Sequence, residues 1–149
     1  MNNFIRILFC GLLLIAGGAA NQVAAEENVL PIEQREYQGI PYVSGGIGFE
    51  EREQLNAIGK NYNLKLVFAG KDGKWVSDIN VEISDSSGKK VLNAASEGPW
   101  FFSKLPPGKY TVTVTMMEKM RKDMKKGVNI GKVQKQITLY FHWDESDYF

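Results

Sequence analysis

The chain has 149 residues, with 18 Lys and Arg against 17 Asp and Glu, a formal charge of +1 and 44% hydrophobic residues. That balance excludes a dedicated nucleic-acid binder, whose footprint is strongly basic, and a mainly disordered chain. A single His and a single Cys leave little material for nucleophilic or thiol chemistry.

Residues 1–25 show the three regions of a secretory signal peptide: Arg6 near the start, the apolar run from Ile7 to Ala16, and a small-residue end at Val23-Ala24-Ala25. Cleavage is expected after Ala25, with Ala20 as the alternative. The run is shorter than the roughly 20 residues of a transmembrane helix, and no second one follows, so the mature chain is expected to have no transmembrane segment and to be periplasmic or secreted. Cys10 lies inside the apolar run rather than after it, which argues against lipid modification. Cleavage removes Cys10 and Arg6 and leaves a formally neutral chain without cysteine. At about 120 residues, such a chain can rest on one core with no disulfide.

Residues 26–48 read as an irregular leader. The first part is polar, and YQGIPYVSGGIG (37–48) is broken by Ile-Pro and Gly-Gly pairs. Residues 49–60 (FEEREQLNAIGK) predict one short helix, with acids in its first turn, Lys60 at its end and a narrow stripe at Leu55 and Ile58. From residue 62 the period becomes two. Tyr62, Leu64, Leu66 and Phe68 alternate as a strand, and so do Ile79, Val81 and Ile83; DSSG (85–88) then turns into a partner around residues 90–95. WFFSKL (100–105) is an aromatic strand, and Tyr110, Val112, Val114 and Met116 alternate with threonines. A connection over 118–132 leads to a last strand, with Val133, Ile137, Leu139, Phe141 and Trp143 on one parity. About seven short strands, close turns and no intervening helix predict a mostly β chain: an antiparallel β-sandwich over 62–143, preceded by one short helix and followed by an acidic tail, 144–149.

The stretch from Asn63 to Met116, above all WFFSKLPPGKYTVTV, resembles a carboxypeptidase regulatory-like domain of the transthyretin-like (prealbumin-like) sandwich. The order that carries it is an aromatic strand, a Leu-Pro-Pro-Gly turn and a Tyr opening a Thr/Val strand; Pro fixes φ where such a turn needs it. The resemblance covers residues 62–143, and small exported bacterial proteins of unassigned activity carry this domain. It implies an extracytoplasmic accessory module and no peptidase activity. Transthyretin-like hydrolases of 5-hydroxyisourate depend on several histidines and a C-terminal Tyr-Arg-Gly-Ser, whereas this chain ends DESDYF.

The candidate sites are few. His142 has the opposite parity to Phe141 and Trp143 and reads as an outward surface residue beside Tyr140, so no catalytic residue and no enzyme is expected. Gly45-Gly46-Ile47-Gly48 precedes a helix but lacks the Lys-Ser/Thr of a phosphate loop, and Glu50, Glu51 and Glu53 would repel an anion. The connection after Met116 holds a basic cluster that includes Lys122, Lys125 and Lys126. It suits docking on an anionic envelope surface, or reads as a solvated loop. Met117, Met120 and Met124 within it form an alternative Cu(I) set, opposed by the neighbouring ammonium groups, and no cofactor is expected. Trp75 and Trp100 are candidates for stacking on a carbohydrate. The leading expectation is a non-enzymatic module that binds a protein or envelope component; the alternative is a small-ligand carrier, for carbohydrate or Cu(I).

Overall fold

In the computed structural model, residues 30–118 and 123–147 are described. The expected signal peptide, Met120 and Lys122 lie outside them. Among the described residues there are nine strands: β1 (Arg35–Tyr37), β2 (Ile40–Gly45), β3 (Leu64–Gly70), β4 (Ile79–Asp85), β5 (Lys90–Ser96), β6 (Trp100–Ser103), β7 (Gly108–Met116), β8 (Met124–Ile130) and β9 (Ile137–Trp143). One helix, α1 (Phe49–Ile58), continues into a 3₁₀ turn over Gly59–Asn61.

The strands form a β-sandwich. One sheet has the order β1-β2-β6-β3-β9 and the other β5-β4-β7-β8. The alternation read from the sequence is what closes it. Leu64, Leu66 and Phe68 of β3, with Phe101, Phe141 and Trp143, face Ile79, Val81, Ile83, Leu92, Val112 and Val114 across one continuous core. All strand pairs are antiparallel except β3 with β9, which run parallel in a register that sets Leu64 beside Ile137 and Gly70 beside Trp143.

Two regions differ from the sequence-based expectation. The leader is not irregular throughout, because β1 and β2 form a hairpin within it. Its turn has Gln38 at φ 48° and Gly39 at φ 82°, the positive pair of a type I′ turn, which matches the twist of the flanking strands. The 118–132 connection contains β8, which pairs with β7 along its whole length. The basic residues concealed it: only Val128 and Ile130 of β8 are buried, as suits an edge strand protected by lysines. Val133 is 83% exposed and precedes the last strand, which starts at Ile137.

Helix α1 lies over the outer face of the first sheet. Leu55 packs with Val43, Tyr62 and Phe102 in a second cluster, flanked by Ile58, Ile32 and Trp100. The Pro-Pro-Gly turn is held from two sides. Asn63 Nδ2 donates to the Leu105 carbonyl at 2.7 Å while its Oδ1 accepts from the Leu105 amide at 2.9 Å, and Tyr110 OH donates to the Pro106 carbonyl at 2.8 Å. A Tyr hydroxyl bonded back to upstream backbone is a corner device found in other β-sandwiches.

Candidate functional site

β3 lies between β6 and β9, and its outward residues are Lys65, Val67 and Ala69. The register places three cross-strand rows on this outer face: Phe102, Lys65 and Thr138; Trp100, Val67 and Tyr140; Trp75, Ala69 and His142. Trp75 takes its place through an isolated bridge to Ala69, where the chain doubles back after the 70–74 turn. Residues directly opposite on neighbouring strands share a face, so the last two rows read aromatic, small, aromatic. Val67 and Ala69 are buried between these flanks.

The flanks do different things. Trp100 is a support: Lys65 Nζ sits 3.7 Å from its ring centroid, Gly46 packs against it, and Trp75 meets it edge-on at 6.5 Å. Trp75 and Tyr140 are each 52% exposed. Tyr140 and His142 lie with ring planes only 11° apart and centroids 6.2 Å apart, so both rings face the same direction. Lys65 Nζ is also 5.2 Å from the Phe102 ring. No carboxylate pairs with Lys65 among the described residues, and burial lowers its pKa from the ordinary lysine value. Its positive charge is therefore met mainly by aromatic faces.

On the other side of Trp75 lies a groove of about 360 Å³, lined by Trp75, Val76, Ser77, Asp78, Met116 and Glu118 together with Lys74. Asp78 stands there at φ 56°, a left-handed conformation that Asp tolerates, and its carbonyl accepts from the Met117 amide at 2.9 Å.

The basic cluster is divided by β8. Lys125 and Lys126 are exposed on this edge strand. Lys126 reaches across the open side of the sandwich: its Nζ donates to the Tyr140 carbonyl at 2.6 Å and lies 5.3 Å from the Phe141 ring. It ties the edge of one sheet to the edge of the other. The described methionines of this segment do not gather on one surface. Met116 is buried and Met124 packs against the same core, whereas Met117 is exposed in the turn beyond β7. Among the described residues no group of three or more His, Cys, Asp or Glu could hold a metal ion, and no helix is long and apolar enough to cross a membrane.

The glycine segment before α1 is committed internally. The Ile47 amide donates to Glu51 Oε2 at 3.0 Å, and Arg52 Nη1 donates to the carbonyls of Gly46 and Ile47, both at 2.9 Å. The Ile47 amide, a donor that a phosphate would need, is already turned toward the chain's own carboxylate. Gly98 approaches so closely that a Cβ there would strike the Gly45 backbone, which fixes the β5–β6 turn to the end of β2.

Of the described binding candidates read from the sequence, Trp75 combines a place in the aromatic rows with a large exposed surface, whereas Trp100 is half-buried. Tyr140 and His142 were legible as outward residues, but their partnership with Trp75 depends on β9 lying beside β3. Lys65 carried no signal, since a lysine on the polar parity of a strand is ordinary. Comparison with protein-family models gives no match, and comparison with curated proteins gives none either.

Proposed function

We propose that the chain is an exported, non-enzymatic binding module that engages a component of the cell envelope through the outer face of its five-stranded sheet. The observation that carries this reading is the exposure of Trp75, Tyr140 and His142 in register on a face that the core does not need. Exposed aromatic area gathered in one place, rather than scattered, marks a binding surface. The sequence from Arg6 to Ala25 supports export, and the placement of His142 beside Tyr140 on an open strand supports a binding rather than a catalytic role for this single histidine.

The test is co-sedimentation of the mature chain, residues 26–149, with isolated envelope fractions. The Trp75→Ala/Tyr140→Ala double variant is expected to lose at least tenfold in association, while Lys125→Gln changes it little. Undiminished association of the double variant overturns the assignment of this face, and absence of any association overturns the module. The copper alternative draws no support from Met124, which packs against the core while Met117 is exposed in the turn beyond β7.

A further inference from the structure

Resting on that reading, we infer that the outer face of the five-stranded sheet is a glycan site, and that it takes a polysaccharide chain bearing carboxylates, with Lys65 as the group that selects for the acid. Three observations lead there.

The first is the shape of the face. Two rows of aromatic, small, aromatic residues flank the β3 floor, with neighbouring strands about 4.8 Å apart, so the flanks stand roughly 10 Å from one another. The floor at Val67 and Ala69 is filled. A filled floor offers no pocket for a protruding side chain, whereas a flat sugar ring can lie over it against an aromatic wall. The second is the repeat. Tyr140 and His142 present nearly parallel rings two residues apart on one strand, and Trp75 stands in the same row as His142. Successive rings of a sugar chain offer the same kind of apolar C–H face at regular intervals, and Trp and Tyr combine a flat apolar surface with a polar edge.

The third is charge. Lys65 projects from the same strand into the face, is half-buried, and lacks a carboxylate partner among the described residues. The nearby cation Lys71 is already paired with Asp144 at 2.7 Å, and Lys126 is bonded to the Tyr140 carbonyl. Among the described residues Lys65 is thus an ammonium on this face with no carboxylate partner, positioned to receive an external anion in a setting where water screens less than in bulk. Area favours a glycan over a folded protein partner. The exposed rings of Trp75, Tyr140 and His142 form a narrow strip beside a filled floor, the scale of a sugar chain rather than of the about 800 Å² per partner of a stable protein interface.

The experiment follows tryptophan fluorescence of the mature chain during titration with oligogalacturonate of four to six units and, in parallel, with the same oligomer methyl-esterified, at two salt concentrations. The acid form is expected to perturb the fluorescence and to bind at least tenfold more tightly than the ester, with the preference shrinking at high salt. Lys65→Met keeps the apolar stem and is expected to bring the two affinities to within about twofold, while Lys65→Arg retains the preference. Trp75→Ala is expected to lose both. Circular dichroism of each variant checks that the sandwich is intact.

Equal affinity of the parent chain for acid and ester overturns the role of Lys65. Failure of both oligomers to bind, with envelope association still lost on Trp75→Ala/Tyr140→Ala, overturns the glycan and leaves the binding module with a protein partner. Failure of both assays overturns the module itself.

Discussion

The outer faces of the two sheets are finished by different means. On the second sheet Thr111, Thr113 and Thr115 alternate with the buried Val112, Val114 and Met116, and Lys90 pairs with Glu82 across β4 and β5 at 2.7 Å. That face meets water directly, as an antiparallel sheet can. On the first sheet α1 roofs one half through Leu55, and the other half carries Trp75, Tyr140 and His142 with no helix above them among the described residues. A sandwich needs one apolar face per sheet. Aromatic residues on a second face, past the reach of the helix, serve something other than the core.

The contrast can be broken most strongly from the inside. Phe101 is fully buried between the sheets and stacks on Tyr42 with centroids 5.3 Å apart. Phe101→Ala is expected to cost about 3–5 kcal/mol, read as a lowered urea midpoint at unchanged slope. Asn63→Ala comes next, at about 2–3 kcal/mol, because it leaves both the amide and the carbonyl of the buried Leu105 unpaired. Tyr110→Phe removes one hydrogen bond to the Pro106 carbonyl and is expected to cost about 1 kcal/mol in the same measurement. Thr111→Ala, on the watered face of the second sheet, is expected to stay within about 0.5 kcal/mol of the parent. A larger loss there would mean that the second outer face is also covered.

The smallest effect is a matter of pH. The Asp85 carboxylate accepts from the Ser87 hydroxyl at 2.6 Å, and from the Lys89 and Ser87 amides at 3.0 and 2.9 Å, in the β4–β5 turn. The Ser87 hydroxyl first, and those amides with it, hold its pKa below the ordinary 3.8. A depressed acid favours the fold when ionised, so its contribution is complete above about pH 3.8 and disappears as pH falls through the folded value. Asp85→Asn is expected to flatten this part of the acid limb of a stability profile and to leave the neutral plateau nearly in place.

The parts of this fold that were legible in the sequence are those whose burial follows a period. β4 and β7 bury alternate residues and read as strands, and β3 reads as one from Leu64, Leu66 and Phe68 although its outward Val67 and Ala69 are buried too; α1 buries Leu55 and reads as a short helix. β8 was hidden because an edge strand buries little and its lysines resemble a loop. β1 and β2 were hidden by a Gln-Gly turn and a Pro at position 41. The candidate site was only half legible. Parity sets Tyr140 and His142 outward, and adjacency sets Trp100 and Phe101 on opposite faces, as the structure has them. The rows that join Trp75 to His142 depend on which strands lie side by side, and strand order is set by pairing across the whole chain.

The parallel pairing of β3 with β9 also governs when the molecule can finish folding. Its partners are far apart in the chain, Leu64 with Ile137 and Phe68 with Phe141, so the loop they close is long and its closing entropy is spent before the pair rewards it. Until the last strand arrives, β3 exposes an unpaired edge within an apolar run, the kind of edge that recruits other chains. A chain stopped short of Ile137 is therefore expected to aggregate rather than form a smaller sandwich. The C-terminal strand acts as the latch of the first sheet, and it completes the aromatic face in the same step.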